Sequence, residues 1–393
     1  MVYITALGAI NSLGSNMTQI SQNLAKYYNA THYLEENNGW LLHNKRTWFG
    51  KVKTPLPTIP HHLAAYNSRN NQLIYASYLQ IESQIQQIIA KYGKQRIAVI
   101  LGTSTSGIHE GDLAIKHYLQ SGQLPGNYYY NQQELGDPSC FLSTLLHLQG
   151  PAYTISTACT SSARAIISGK RLIESGLVDA AIVGGADSLS RMPINGFHAL
   201  ESLSDKPCTP FAQHRCGINI GEAGALFVLT KEQNSEIAIL GIGESSDAHH
   251  ISAPHPEGIG AQKAMAMALT DAQLTASDIG YINLHGTATP LNDQAESKAV
   301  YRLFAPYNTP CSSTKHLTGH TLGTAAATEL AISYLLIEQN IPLPQQNFSV
   351  SPFDPQLDNI AMVTQSMKLE KPIIMSNSFA FGGNNVSLII GKK

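Results

Sequence analysis

Tyr153-Thr-Ile-Ser-Thr-Ala-Cys159-Thr-Ser-Ser-Ala-Arg-Ala-Ile-Ile167 is the stretch on which the reading of this chain turns. Tyr153 to Thr157 is rich in β-branched residues and ends in a small residue and then a cysteine. A helical spacing follows at once, at Ala163, Ala165, Ile166, Ile167, Leu172 and Ile173, and closes at Gly176. Cys159 therefore stands where a strand turns into a helix. A helix start presents unpaired N–H groups and a partial positive charge, which lower a thiol's pKa and favour the nucleophilic thiolate. Ala158, Ser161 and Ser162 leave room for a substrate. A lone cysteine in such a place is as often a small buried hydrophobe as a nucleophile, so the rest of the chain decides.

On either side, apolar runs end in small residues. Arg96 to Leu101 reads as a strand stopping at Gly102-Thr-Ser-Thr-Ser-Gly107, and Asp179 to Ala186 as another ending in glycines. Val2 to Leu7 and Gly224 to Leu229 read as buried strands, and Asn71 to Lys91 as one helix. Residues 28 to 63 read as irregular surface loop, and 108 to 150 as an inserted excursion. The pattern then restarts. Ile237-Ala-Ile-Leu-Gly-Ile-Gly243 echoes Val2-Tyr-Ile-Thr-Ala-Leu-Gly8, Tyr281 to Thr289 echoes Ala98 to Thr105, and Gly382 to Ile390 echoes Gly221 to Leu229. The shared order predicts an internal duplication, with an N-terminal half over 1–235 carrying the cysteine and a C-terminal half over 236–393, joined near 231 to 236. Strands alternating with helices predict α/β halves with mixed, mostly parallel sheets covered on both faces.

Composition bounds the function classes. At 393 residues the chain is too long for one simple core, and 43% hydrophobic against 13% charged residues suits a well-buried enzyme. A formal net charge of −2 gives no bulk attraction to nucleic acid. The cysteines, Cys140, Cys159, Cys208, Cys216 and Cys311, are odd in number and unpaired in spacing, which predicts reduced thiols in a cytosol rather than a disulfide framework. No C-x-x-C pair offers a structural zinc site. The opening has no basic leader and no apolar run spans a bilayer, so the expected location is cytoplasmic.

Three further stretches carry chemistry. Asn283-Leu-His285-Gly-Thr287-Ala-Thr289-Pro-Leu-Asn-Asp293-Gln-Ala-Glu296 puts a histidine at a strand end, where α/β proteins place ligands. Thr287 and Thr289 suit an amide-bearing arm such as a pantetheine, or simply bond local backbone. Lys315-His-Leu-Thr-Gly319-His320 lies in a glycine-punctuated loop ahead of a small-residue helix, with Glu329 placed to pair with Lys315; the plain alternative is a loop with solvated basic residues. Phe379-Ala-Phe381-Gly382-Gly383 offers an exposed amide N–H, or an ordinary tight hairpin. A cysteine, two histidines and a glycine-flanked amide, each at a strand end, match the needs of carbon–carbon bond formation by thioesters. A thiolate accepts an acyl group, imidazole N–H groups stabilise an enolate, and backbone N–H groups hold the thioester oxyanion.

On Thr157-Ala-Cys159-Thr-Ser, Asn283-Leu-His285-Gly-Thr-Ala-Thr289, Lys315-His-Leu-Thr-Gly-His320, Glu222-Ala-Gly224 and Asn377-Ser-Phe-Ala-Phe-Gly-Gly383, in that family's order over essentially the whole chain, the sequence resembles the elongating β-ketoacyl-[acyl carrier protein] synthases of the thiolase superfamily. The resemblance implies a thiolase fold, α/β, with two duplicated halves layered αβαβα. It implies Cys159 as acyl acceptor, His285 and His320 as promoters of malonyl decarboxylation, and Lys315, paired with Glu329, as their organiser. The backbone N–H groups of Cys159 and Phe381 would form the oxyanion hole. Phe381 would gate malonyl entry, Thr287, Thr289 and Phe379 would line the pantetheine arm, and Asp293 and Glu296 would be structural. No cofactor is expected to be bound; substrates would arrive on the 4'-phosphopantetheine of an acyl carrier protein.

Two departures from the common pattern stand out: Ala380 in place of the usual glycine and Asn384 in place of the usual threonine. With the Gly102–Gly107 turn and the compact length, these resemble the ketosynthases of aryl polyene pigment clusters. That implies a homodimer, or a heterodimer with a chain-length-factor-like subunit. The alternatives are a housekeeping fatty acid ketosynthase and a non-catalytic chain-length factor or carrier-binding scaffold. The initiating ketosynthases use Cys-His-Asn, which His320 argues against, and a degradative thiolase would want a second cysteine beyond Cys311. Residues 103 to 150 and 190 to 200 are expected to shape the acyl pocket. His249, His250 and His255 read as a loop at the arm entrance rather than a metal site. Lys45, Arg46, Lys51, Lys53 and Arg69 are candidates for carrier docking, or solvated surface charges.

Overall fold

The computed structural model describes residues 1–26, 32–233 and 235–392. The part of the irregular reading that covers 28–31, and position 234 of the predicted join, lie outside the described residues. In chain order the elements are β1 (Val2–Ile10), α1 (Met17–Leu24), β2 (Glu35–Asn37), β3 (Thr47–Gly50), α2 (Arg69–Leu79), α3 (Glu82–Tyr92), β4 (Ile97–Gly102), α4 (Ile108–Ser121), α5 (Asp137–Leu145), β5 (Ala152–Ile155), α6 (Ser161–Glu174), β6 (Ala180–Asp187), α7 (Arg191–Ala199), β7 (Ile220–Gly221) and β8 (Ala223–Thr230). They continue with β9 (Ile237–Ser246), α8 (Ile259–Ala272), β10 (Tyr281–Asn283), α9 (Pro290–Phe304), β11 (Cys311–Ser312), α10 (Lys315–Thr318), α11 (Ala325–Gln339), β12 (Ile373–Phe379) and β13 (Asn384–Lys392).

Ten strands form one sheet in the order β11-β10-β12-β13-β9-β1-β8-β6-β4-β5. Its two five-strand sets repeat one plan: taken along the chain, each is ordered third, second, fourth, fifth, first. The sets meet where β1 and β9 pair antiparallel at Val2–Ile239 and Tyr3–Ala238. The echoed segments fall on equivalent strands, β1 with β9, β4 with β10, and β8 with β13. Each set is mixed and mostly parallel, as the sequence predicts: four of its five strands run one way and the fifth runs against them. In each set the second strand runs parallel to both its neighbours, and the fifth runs antiparallel to the fourth and the first, between which it lies. The short hairpin between β12 and β13 has no room for the crossover helix that a parallel pair requires.

The core follows from burial. α6 and α11 pack against strands of both sets and against each other, while α2 and α5 cover the outer face of the first set and α8 and α9 that of the second. This is the αβαβα layering. A helix between two sheets has no solvent side, which explains the run Ala325-Ala-Ala-Thr-Glu-Leu-Ala-Ile332 in α11, buried throughout. A charge there, Glu329, requires a partner.

Two stretches differ from the sequence reading. Residues 28 to 63 are not all loop: β2 pairs antiparallel with β3, and β3 pairs parallel with β7. The strands are too short for periodicity to register, and β7 lies far along the chain. The helix read over Asn71 to Lys91 is two helices, broken at Gln80, whose side chain accepts from the N–H groups of Ala9 and Met17 and donates to Ala9 and Ser15 carbonyls. No helix among the described residues is long and apolar enough to cross a membrane.

Gly102, at the end of β4, positions α6. A Cβ there would lie 2.3 Å from Ser162 N and 2.4 Å from the Ser161 carbonyl carbon. Gly102→Ala is therefore expected to push α6 off the sheet and lower stability by about 1–3 kcal/mol, read as an earlier urea midpoint.

Candidate active site

Cys159 lies between β5 and α6, just before the Thr160 that precedes the helix. Ala158 is held at φ 52°, a left-handed conformation that alanine rarely adopts. Hydroxyls fix the bend: Ser161 Oγ donates to Ala158 O at 2.6 Å and accepts from Thr157 N–H at 2.9 Å, and Thr160 Oγ1 donates to Thr157 O at 2.8 Å. The sequence of small and hydroxyl residues after Cys159 thus builds its own elbow.

His320 reaches the thiol from the other half. The N–H of His320 donates to Asn219 O at 2.6 Å, and its carbonyl accepts from Gly221 N–H at 2.9 Å, so β7 clamps its backbone. Its Nε2 lies 3.1 Å from Cys159 Sγ. Its Nδ1 accepts from the Leu322 N–H at 3.1 Å. A backbone N–H can only donate, so the proton of the neutral ring sits on Nε2 and points at the sulfur.

His285 follows β10. Glu296 holds its backbone, accepting from the N–H groups of His285 and Gly286 at 2.8 and 2.7 Å. The Lys315 ammonium lies 3.4 Å from His285 Nδ1, donates to the His285 carbonyl at 2.5 Å, and pairs with Glu329. An ammonium has no acceptor, so this ring too carries its proton on Nε2. The two imidazoles meet edge to face, with centroids 5.4 Å apart. Burial, the Lys315 charge and, for His285, the neighbouring ring hold both histidines well below the usual imidazole range, so they are neutral donors. Burial pushes the Glu329 carboxyl up and the contacting ammonium pulls it back.

The thiol departs from the sequence expectation. Burial pushes it up to about 11, against the pull of Lys315 and of the N–H groups of Cys159 and Phe381. Cys159 precedes the helix rather than capping it, and the enclosed sulfur loses more hydration than the elbow returns. Those two N–H groups nonetheless lie close enough to act on the sulfur.

Cys159, His285 and His320 stand at the foot of a cavity of about 290 Å³. Thr287, Thr289, Phe379 and Phe381 also line it. The threonine hydroxyls are 2.8 Å apart, and the Phe379 ring is 6.0 Å from His285. Of the segments expected to shape a pocket, Phe197 and Leu200 line this cavity, but no residue of 103–150 does. Asp293 is buried behind it, accepting from Phe211 N–H at 2.7 Å. The Cys159, His285 and His320 ligand atoms lie within 4.8 Å of one another, near enough for a metal ion. The inward Nε2–H protons and the adjacent Lys315 charge oppose a cation there.

Arg69 does not face a docking partner. Its guanidinium makes a two-pronged contact with the buried Glu222, at 2.7 and 2.5 Å. Lys45 stacks its ammonium 3.2 Å from His198, and Arg46 lies 3.6 Å from Glu36. Asp187 was not singled out from sequence. It accepts from Thr103, Ser104, Thr105 and Thr324, tying the Gly102–Gly107 turn to the start of α11. Its signal was a carboxylate closing an otherwise apolar buried strand, which demands several donors.

The family descriptions "Beta-ketoacyl synthase, N-terminal domain" and "Beta-ketoacyl synthase, C-terminal domain" match residues 79–235 and 237–349. The chain is 31% identical to 3-oxoacyl-[acyl-carrier-protein] synthase 1 of Buchnera aphidicola, covering 100% of this chain and 99% of that protein. It belongs to the β-ketoacyl synthase family. This β-ketoacyl synthase is also 29% identical to 3-oxoacyl-[acyl-carrier-protein] synthase 2 of Staphylococcus aureus, over 100% of this chain and 98% of the other. Among solved structures, a chain of the ketosynthase ApeO in complex with its chain length factor ApeC from Xenorhabdus doucetiae is 55% identical, with a TM-score of 0.96 over 100% of this synthase and 98% of that chain.

Proposed function

We propose that this β-ketoacyl synthase catalyses the decarboxylative Claisen condensation of malonyl-[acyl carrier protein] with an acyl chain held on Cys159, and that the chain it extends is the conjugated polyene of an aryl polyene pigment. The observation that carries the reaction is the placing of two neutral imidazoles with fixed Nε2–H tautomers beside the Cys159 thiol, the three groups within 4.8 Å of one another. The greater identity to ApeO, 55% against 29–31% for the curated 3-oxoacyl synthases, favours a specialised role over housekeeping elongation.

The sequence of steps follows from the donors. Cys159 sulfur attacks the acyl thioester of the carrier's phosphopantetheine; the new C–S bond forms, the old one breaks, and the thiol proton leaves with the carrier thiol. The oxyanion rests between the N–H groups of Cys159 and Phe381. Malonyl thioester then loses CO2, and the electron pair of the broken C–C bond moves onto the thioester oxygen, where His285 and His320 Nε2–H receive it. The enolate carbon attacks the Cys159 thioester, forming the new C–C bond and releasing the thiolate, which takes up a proton.

A second subunit fits the chain's outer edge. β5 ends the large sheet with an open side, and Tyr153 on it is exposed. Leu113, Ile115, Leu119 and Tyr130, on α4 and the segment after it, are exposed as well. An open strand beside apolar side chains calls for cover, and ApeO was solved with its chain length factor. We assign this face to a chain-length-factor-like partner, and place the enzyme in the cytoplasm with its carrier proteins.

The test is intact-mass spectrometry after incubation with saturated and aryl-polyenoyl carrier proteins, with and without the partner subunit. Polyenoyl carrier is expected to add its acyl mass, and Cys159→Ala to abolish the gain. Preference for saturated chains would return the enzyme to fatty acid elongation. No acylation from any donor would overturn the catalytic reading in favour of a silent scaffold.

A further inference from the structure

We propose that Arg164 is a positioning residue that latches the turn Ala380–Gly383 shut over the thiol, and that releasing this latch admits the malonyl-bearing arm. The inference rests on the condensation reading above and names a control element within it.

Phe381 lines the cavity that leads to Cys159, and its ring packs 5.5 Å from that of Phe197. Its N–H lies near enough to the sulfur to favour the thiolate. The turn therefore serves two opposed needs. Closed, it supplies an oxyanion donor for acyl transfer. A second, malonyl-bearing arm must then share a cavity of about 290 Å³ with the acylated cysteine, which requires the phenylalanine to move. Gly382 at φ 83° and Gly383 at φ 77° give the turn a backbone that changes conformation without a Cβ penalty.

Two sets of contacts hold the turn. One is a backbone set to an exposed loop: Gly382 N–H donates to Ile251 O at 2.8 Å, and Gly383 O accepts from Asp247 N–H at 2.8 Å. Ile251 is 81% exposed, so on that side the brace is the Asn385 amide, which donates to Asp247 Oδ1 at 2.8 Å and to Gly383 O at 3.1 Å. The other comes from the interior. Arg164 is in the first turn of α6, five residues after the nucleophile, and its Nη2 donates to Asn384 Oδ1 at 3.1 Å. Asn384 is the residue at which the turn re-enters the sheet; its carbonyl accepts from Ala380 N–H at 2.7 Å and closes the turn. A guanidinium only donates, so the amide oxygen is held toward it.

The latch is poised rather than locked. Arg164 Nε stays 3.6 Å from Glu244 Oε1, outside hydrogen-bond reach, while Glu244 Oε2 accepts from Arg171 at 2.6 Å. Glu244 thus offers the guanidinium a second partner when Asn384 lets go, so opening strands no buried charge. Asn384 is also where this sequence departs from the usual threonine, whose shorter side chain does not extend an amide oxygen to the same reach.

The experiment compares Arg164→Gln, Asn384→Ala, the double variant, and Arg171→Gln as control, each in the full-length enzyme. Hydrogen exchange at Gly382 and Gly383 is read first, because it needs no turnover. Each latch variant is expected to raise exchange there about tenfold, the scale of one lost charge-assisted hydrogen bond, and the double variant no further. Arg171→Gln should leave it unchanged. In turnover, the latch variants should lower KM for malonyl-carrier and slow acylation of Cys159. Unchanged exchange, an equal rise in Arg171→Gln, or additive effects in the double variant would overturn the latch, as would a parallel fall in both half-reactions. A failure of the unsubstituted enzyme to acylate at all would instead sink the condensation reading, and the exchange result would stand apart from it.

Discussion

His285→Ala and His320→Ala are each expected to slow malonyl decarboxylation about 10²–10³-fold, the effect of removing one oxyanion donor, while acylation of Cys159 falls by no more than about tenfold. The asymmetry follows from the tautomers. A histidine acting as base for the thiol would need a bare nitrogen facing it. His320 instead has its Nδ1 engaged by Leu322 N–H and presents Nε2–H to the sulfur at 3.1 Å. It can donate to a developing enolate but cannot take the thiol proton in that state. In the proposed mechanism the oxyanion of acyl transfer has its own donors in the Cys159 and Phe381 N–H groups. Single-turnover acylation by mass spectrometry and CO2 release from malonyl-carrier separate the two steps; equal losses in both would mean that His320 serves as base.

The same assignment sets a pH expectation. Both imidazoles sit well below 6.5 because burial and the Lys315 charge oppose a second positive charge. Lowering the pH from 8 to 6 should therefore leave both rings neutral, with ¹⁵N chemical shifts that report Nε2–H tautomers at both ends. An imidazolium signal at pH 6 for either ring would remove the physical basis for paired neutral donors.

How much of this was legible beforehand depends on the range of the interaction. Cys159, His285, Lys315, His320 and Phe381 each carried a local signal, because each stands in a run of small or glycine residues, with Cys159, His285 and Phe381 just after a strand. The Lys315–Glu329 pair was readable because both lie in one loop-to-helix segment. The thiol's pKa was misread, since local sequence gives the helix start but not the enclosure that outweighs it. β2, β3 and β7 were missed because their pairing joins segments far apart in sequence, and β7 is what clamps His320. Asp187 and Arg164 were invisible for the same reason: what each one does is defined by partners from the other end of the chain, Thr324 and Asn384.

Lys315→Met should do damage in two separable ways. Its ammonium is buried with Glu329, both side chains at 2% exposure, so removing it strands a carboxylate in the core at a cost of about 3–5 kcal/mol. It also removes the donor that keeps His285 Nδ1 unprotonated, so the ring is free to flip its proton away from the enolate. Decarboxylation should then fall about 10²–10⁴-fold, between the loss of one oxyanion donor and the trapping of a wrong tautomer. Stability and activity part company in the double variant. Lys315→Met with Glu329→Leu replaces the buried pair by apolar side chains of similar size, which typically restores or exceeds the original stability. Activity should not return, because His285 still lacks its donor. Urea midpoints and decarboxylation rates for the two singles and the double decide the matter. If the double variant regains both, Lys315 acts only by neutralising Glu329. If it regains stability alone, the ammonium's hold on the His285 tautomer is what the reaction requires.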